Sequence, residues 1–412
     1  MKRVSVVIGM LALVLLALPI PLRGQFLLVD CLAPLFGIAL VLRGKFKNHF
    51  AGEEGALACF LGICAGVTLL HLCLGTGERG YDLAVFCYLG VMWFYLRGVP
   101  FASKQLLLYG SVVLAVILLG WLPEALRLLG WHSLPETGLC LITQNAEGTA
   151  MDFLHRRYAF LFGNPNLLGV FYPLPYAAIL PALRERWTAY SRRQRILWLL
   201  FLGAGLLPLC HTFSKHALLT GALLAGWFVE QFSWRRLRPV VIAGILALGL
   251  SFELTVLWVA FPISARFPFL NFSPGAYSIH QKAYGKIVLR DAFHLITGRS
   301  ATELQKLYPQ TVERDQARKI LEQYNAMEVF DGYCNFMDPH NEYLNILSLF
   351  GVAGLLAVLW FFVRLGLVKS ENQWLLFCYL IALICCCLWD DLLSKRYLWA
   401  TLALLGGRSS KM

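Results

Sequence analysis

The chain has 412 residues, is 58% hydrophobic and has a mean hydropathy of +0.63. Soluble domains sit near about 45–50% apolar, so this composition excludes an ordinary soluble domain and points to an integral membrane protein with many spans. The formal net charge of +12 does not indicate nucleic-acid binding, because most charges fall in short segments between apolar runs, where they set topology.

In chain order, "MKRVSVVIGMLALVLLALPIPLRG" has the basic start and apolar stretch of a signal peptide. It lacks a small-x-small cleavage site and further apolar runs follow, so it reads as a retained first helix. A helix needs about 20 mainly apolar residues to cross ~30 Å of hydrocarbon. Candidate spans lie near 5–22, 26–42, 55–74, 82–96, 106–122, 166–183, 196–211, 215–231, 239–259, 343–366, 372–389 and 396–407, twelve in all. With the N-terminus inside, the inner segments hold 19 basic residues and the short outer segments hold five: Arg23, Arg79, Lys215, Lys395 and Arg396. This asymmetry puts both termini in the cytoplasm. The expected class is an all-α polytopic membrane protein of about twelve transmembrane helices, with one long extracytoplasmic loop that itself contains helices.

Two outer segments are long, at about 123–165 and about 260–342. In the second, Val312, Ala317, Ile320, Leu321 and Tyr324 recur at helical spacing with charges between them. They make an amphipathic helix, either at the outer membrane surface or packed on the loop's own fold. The twelve cysteines show no metal-ligand spacing, and most lie in apolar runs as small packing residues. Cys140 and Cys334 fall in the two long outer segments, as a disulfide or as two unrelated thiols. There is no P-loop, GxGxxG or HExxH motif, so neither ATP-driven transport by this chain alone nor a zinc site is supported.

The stretch "MDPHNEYLNILSLFGVAGLL" changes from polar to apolar at the mouth of the tenth span. Pro339 disfavours helix at Asp338, and Asn341 or Asp338 suits a helix cap, so a structural entrance with a satisfied histidine is one reading. Other polar residues gather at the same predicted face. Lys215 lies in "CHTFSKHALLTG" between the seventh and eighth spans, and Asp390 and Arg396 lie in "LWDDLLSKRYLW" between the last two. Gly163, Asn164, Pro165 and Asn166 lead into the sixth span. Ionisable groups at membrane depth are costly and usually functional. Each still has a plainer role: Lys215 as a snorkelling lysine, Asp390 and Arg396 as a helix-joining pair, Asn164 and Asn166 as turn residues.

Together these motifs resemble the O-antigen ligase family and its relatives the polysaccharide polymerases, membrane glycosyltransferases of the GT-C type. The matching features are Gly163 to Asn166, "TFSK" at 212–215, the loop at about 260–342, and His340, Asn341 and Leu344 leading to Gly351 and Gly354. Asp390 and Arg396 resemble the family's acid and arginine near the last outer turn. The resemblance covers roughly residues 160 to 400, dividing the chain into 1–159, N-terminal helices and first outer loop, and 160–412, the ligase-like region.

The resemblance implies a donor glycan on a polyprenyl pyrophosphate, most simply undecaprenyl, and an acceptor hydroxyl on a glycolipid, glycan or protein. It implies a bacterial plasma-membrane site on the extracytoplasmic face, with the lipid bilayer as partner. His340 is then the base, with Asn341 or Glu342 orienting its ring and Asp338 beside it. Lys215 and basic residues among Lys282, Lys286, Arg290 and Arg299 meet the pyrophosphate charge, with Arg396 doing the same or pairing with Asp390. The donor is already activated, so no cofactor or metal is implied. The family usually has arginine where Lys215 stands; lysine keeps the charge but loses the planar fork. A lipid-linked-oligosaccharide flippase or transporter is the non-enzyme alternative. Transporters carry polar residues near the midplane, whereas here the ionisable residues crowd the span ends.

Overall fold

The computed structural model describes residues 2–18, 20–23, 26–42, 52–75, 80–128, 142–144, 156–162, 164–212, 214–257, 274–323, 327, 330–335, 338–388, 390 and 392–407. Gly163, Cys140, Tyr324, Asp391 and most of the first long outer segment lie outside these residues.

A helix stands at each of the twelve apolar positions. The first five are α1 Lys2–Ala17, α2 Ala33–Leu42, α3 Glu53–Cys73, α4 Gly80–Arg97 and α5 Ser103–Leu128. The sixth position is split by Tyr172 into α6 Pro165–Phe171 and α7 Pro173–Arg186. Then come α8 Arg192–His211, α9 Ala217–Gln231 and α10 Arg238–Leu257. The second long segment holds α11 Pro274–Val288, α12 Ala292–Thr297, α13 Ala301–Thr311, α14 Arg314–Gln323 and α15 Phe330–Asn335. The last three are α16 Glu342–Gly366, α17 Gln373–Cys386 and α18 Arg396–Gly406. The described residues otherwise contain two short antiparallel strand pairs, Pro21–Arg23 with Phe26–Leu27 and Ile142–Gln144 with Arg156–Tyr158.

Among the described residues, five helical stretches are long and apolar enough to cross a membrane: Glu53–Cys73, Ser103–Leu126, Pro165–Ala189, Arg192–His211 and Glu342–Gly366. Pro165–Ala189 is 83% buried, against 28–33% for three of the others, which makes it the centre of the bundle. Around it, α5, α9 and α18 pack on α7, while α3 packs on α16 and α4 on α18. Helices from both sides of residue 160 therefore interleave. Exposed leucines and valines such as Leu69, Leu72, Leu119, Leu200, Val240 and Val363 give the outer helices an apolar surface suited to lipid. Small cysteines serve the packing, with Cys378 against Gly226 and Cys385 against Gly249. No disulfide joins any of the eleven described cysteines, and Cys334 is buried.

The amphipathic stretch near 311–324 turns inward. Val312, Ala317, Ile320 and Leu321 are buried, and α14 packs on α11 and α15. Of the two readings left open by its pattern, packing on the loop's own fold is the one observed.

The loop meets the bundle at one interlock. Gly351 breaks the regular dihedrals of α16, with φ +67° and ψ −170°. A Cβ there would overlap the carbonyl of Ile296, and a Cβ at Gly298, also at φ +67°, would overlap the carbonyl of Leu349. Each backbone occupies the space a side chain would need, so only glycine fits at either position. Arg299 N–H donates to Ser348 O at 2.6 Å, closing the joint.

Candidate functional site

Four chain segments converge at the end of the bundle where α6, α9, α16 and α18 begin. The first is the turn between α8 and α9. Thr212 ends α8 by donating to Leu209 O (2.6 Å) and accepting from Ser214 N–H (3.1 Å). Ser214 Oγ lies 3.0 Å from His216 Nδ1 and also accepts the His216 backbone N–H at 3.3 Å. This tight turn leaves Lys215 half-buried between two buried residues. The second segment, α6, rests on it: a Cβ on Gly169 would fall 2.5 Å from Ser214 Oγ. Asn164 caps α6, accepting from Asn166 N–H at 2.8 Å, so the asparagines around Pro165 shape the turn that leads into this helix.

The third segment is the start of α16. Asn341 is its cap, its side chain accepting from Leu344 N–H at 3.1 Å. His340 stands just before it at φ +46°, half-exposed, in a backbone region that histidine enters more readily than most side chains. Asp338 is exposed beside it. Glu342 is buried and ties in the fourth segment, the turn between α17 and α18: its backbone N–H donates to Cys387 O (2.7 Å) and its Oε2 accepts from Leu393 N–H (2.9 Å).

That turn carries Asp390, whose Oδ2 lies 3.2 Å from His216 Nε2. Burial alone would raise the Asp390 carboxyl, but the His216 hydrogen bond and the charges of His216, Lys215 and Lys395 reverse this and hold it below the usual carboxylate range. Burial pushes the His216 imidazole below its usual value despite the bond to Asp390. A neutral ring with its proton on Nε2 donates to Asp390 and leaves Nδ1 to accept from Ser214. Burial also lowers His340; Asp390 and Asp338 oppose the shift, while Lys215 and Lys395 add to it. The groups that act on His340 and Asp390 thus come from three stretches of chain.

The loop adds a second imidazole. The His280 ring, on α11, is centred 5.9 Å from that of His340, and its Nδ1 is in hydrogen-bond contact with the Tyr308 hydroxyl. Burial and the neighbouring His340 push His280 down to about 3, so it is neutral at neutral pH.

The other basic candidates are placed differently. Arg299 is buried and ion-paired with both Asp291 and Glu303. Arg396 forms a two-pronged pair with Asp30, at 2.6 Å from Nε and 2.5 Å from the terminal nitrogen. Its partner is thus Asp30, and Asp390 turns to His216 instead. Lys282 is exposed on α11; with the Gln316 amide turned so that its nitrogen meets Glu313, the amide oxygen accepts from Lys282 Nζ at 2.7 Å. Lys286 pairs with Glu313, and Arg290 is exposed.

The residues the sequence reading passed over are His216, His280, Tyr308, Lys395 and Asp30. Adjacency to Lys215 in "SKH" was the available signal for His216; nothing local marks the others. Among the described residues, no three His, Cys, Asp or Glu side chains gather as a metal site would require. No family model, curated protein or solved structure matches the chain.

Proposed function

We propose that the protein is a membrane glycosyltransferase of the O-antigen ligase and polysaccharide polymerase type, crossing a bacterial plasma membrane twelve times with both termini cytoplasmic. It moves a glycan from undecaprenyl pyrophosphate to an acceptor hydroxyl on the extracytoplasmic face. The observation that carries this reading is the meeting of the turns that bear Lys215, His340 and Asp390 at one end of the apolar helices, with His216 3.2 Å from Asp390 and Glu342 bonded to Cys387 and Leu393.

The chemistry suits these groups. The acceptor oxygen forms a bond to the donor's anomeric carbon as its proton passes to His340. The bond from that carbon to the pyrophosphate oxygen breaks, and polyprenyl pyrophosphate departs with the electron pair. A cation already in place where this charge develops lowers the barrier, which is the task of Lys215, with Lys395 on the neighbouring turn. His340 is better suited to be the base than His216, whose ring is fully buried, with Nδ1 3.0 Å from Ser214 Oγ and Nε2 3.2 Å from Asp390 Oδ2. A histidine held below its usual value stays neutral, and able to accept a proton, at neutral pH.

The test is transfer by purified protein in lipid nanodiscs, supplied with polyprenyl-pyrophosphate glycan and with glycolipid, glycan or protein acceptors in separate reactions. We expect a larger glycoconjugate with one acceptor class, and that class separates ligase, polymerase and protein transferase. His340→Ala should lower turnover by about 10²–10⁴-fold while leaving the protein folded. The parent's rate should hold through mild acidity and fall only at a pH below the ordinary histidine value. Full turnover by His340→Ala removes the base assignment. Donor crossing the bilayer with no product formed favours the flippase reading.

A further inference from the structure

We infer that α12 and the turn before it form a membrane-contact element, with Leu289, Phe293 and Ile296 seated among the acyl chains of the leaflet on the His340 side. Leu289 is 75% exposed, Phe293 49% and Ile296 60%. These are large apolar residues on a short stretch that also carries Asp291, His294 and Arg299. An apolar patch of this kind needs a partner, and its position says which one.

Two independent attachments fix that position. His71 Nε2 is 3.3 Å from Thr297 O, and His71 lies two residues before the end of α3, a helix able to span the membrane. From Glu53 to His71 is about 27 Å at 1.5 Å per residue. On the other side the Gly351 kink holds the Ile296 carbonyl, and from Gly351 to the far end of α16 is about 22 Å. Both rulers put α12 about 22–27 Å above the opposite ends of two apolar helices. That is just inside the near edge of a hydrocarbon layer about 30 Å thick.

The surroundings agree with that depth. Leu70 and Leu72 flank His71 and are themselves exposed, at 38% and 53%, so the patch continues the apolar outer surface of α3. The cation just after α12 is covered: Arg299 is buried and paired with Asp291, whose side chain is 40% exposed at the turn, and with Glu303. Arg290, exposed between Leu289 and Asp291, adds a cation at the edge of the patch, free to meet head-group phosphates if the patch lies in lipid. A shallow apolar wedge with a basic rim is the pattern of a helix lying in the interface. Near 311–324, where the sequence allows either such a helix or one packed on the loop's own fold, the apolar face is buried. This inference needs only that α3 and α16 cross a bilayer, and it stands whatever reaction the protein performs.

The full chain in phospholipid nanodiscs, carrying the photo-crosslinker p-benzoylphenylalanine in place of Phe293 or of Ile296, tests it. Exposed Glu322 on α14 is the control position. After irradiation, mass spectrometry should find phospholipid adducts at 293 and 296 at least fivefold above those at 322. If one of these variants does not fold, Leu289 replaces it. Adducts no more abundant than at 322, or crosslinks only to the chain itself, overturn the proposal.

Discussion

His340 reaches the candidate site by an unusual backbone path, at φ +46° directly after Pro339. The sequence made it visible because a proline, a histidine and a capping asparagine rarely meet at an apolar boundary without a reason. Lys215 and Asp390 were visible for the same reason, as charges stranded between apolar runs. His216 was not, because its contribution depends on Asp390 lying 3.2 Å away across the bundle, and no local pattern records such an approach. In the proposed reaction Lys215→Ala should raise the donor KM and lower kcat by about 10²-fold, the size of losing one preorganised donor to a developing oxyanion. Lys215→Arg should restore most of the rate, since arginine keeps the charge. Parent-like kinetics for Lys215→Ala would assign the leaving-group charge to another residue.

At the scale of elements, the apolar runs were legible because about 20 residues without charge can hardly be anything else. Most of the amphipathic pattern at 311–324 falls on a helix, α14 at Arg314–Gln323, after a break at Val312, yet its period alone does not say whether its apolar side meets lipid or protein. Tertiary packing decided for protein, and α12, too short to show a period, carries the exposed apolar residues instead. The interlock of Gly298 with Gly351 was also hidden, since a glycine pair marks close approach without naming what approaches. Gly351→Ala combines a positive φ with overlap of the Ile296 carbonyl. We expect a loss of at least about 1–3 kcal/mol, from backbone strain alone. Limited proteolysis should show cleavage near 289–300 well before the bundle unfolds. An unchanged digestion pattern would mean that the loop is held elsewhere.

Across the whole molecule, the two ends of the described chain are joined on the His340 face. Asp30, just before α2, holds Arg396 at the start of α18, a separation of 366 residues. The side chains are only 10% and 19% exposed. Asp30→Asn leaves a largely buried guanidinium without its charge partner; allowing for this residual exposure, we expect a loss of about 2–3 kcal/mol, read as a lower melting temperature in detergent. Asp390→Asn is the comparison, because it should affect turnover as well. Acidification should weaken the fold from the side of the histidines too. His216, His280 and His340 all lie below their usual value, so the unfolded chain takes up protons near pH 6.5 that the folded chain refuses, and the histidines' contribution to stability falls as pH drops through that region.

The Asp30–Arg396 clasp also bears on how the protein is made. A chain that enters the bilayer from its first helix must carry the carboxylate of Asp30 through the synthesis of nearly everything else before its mate emerges. Until then the opening hairpin lacks this ion pair, and that part of the fastening waits for the final helix.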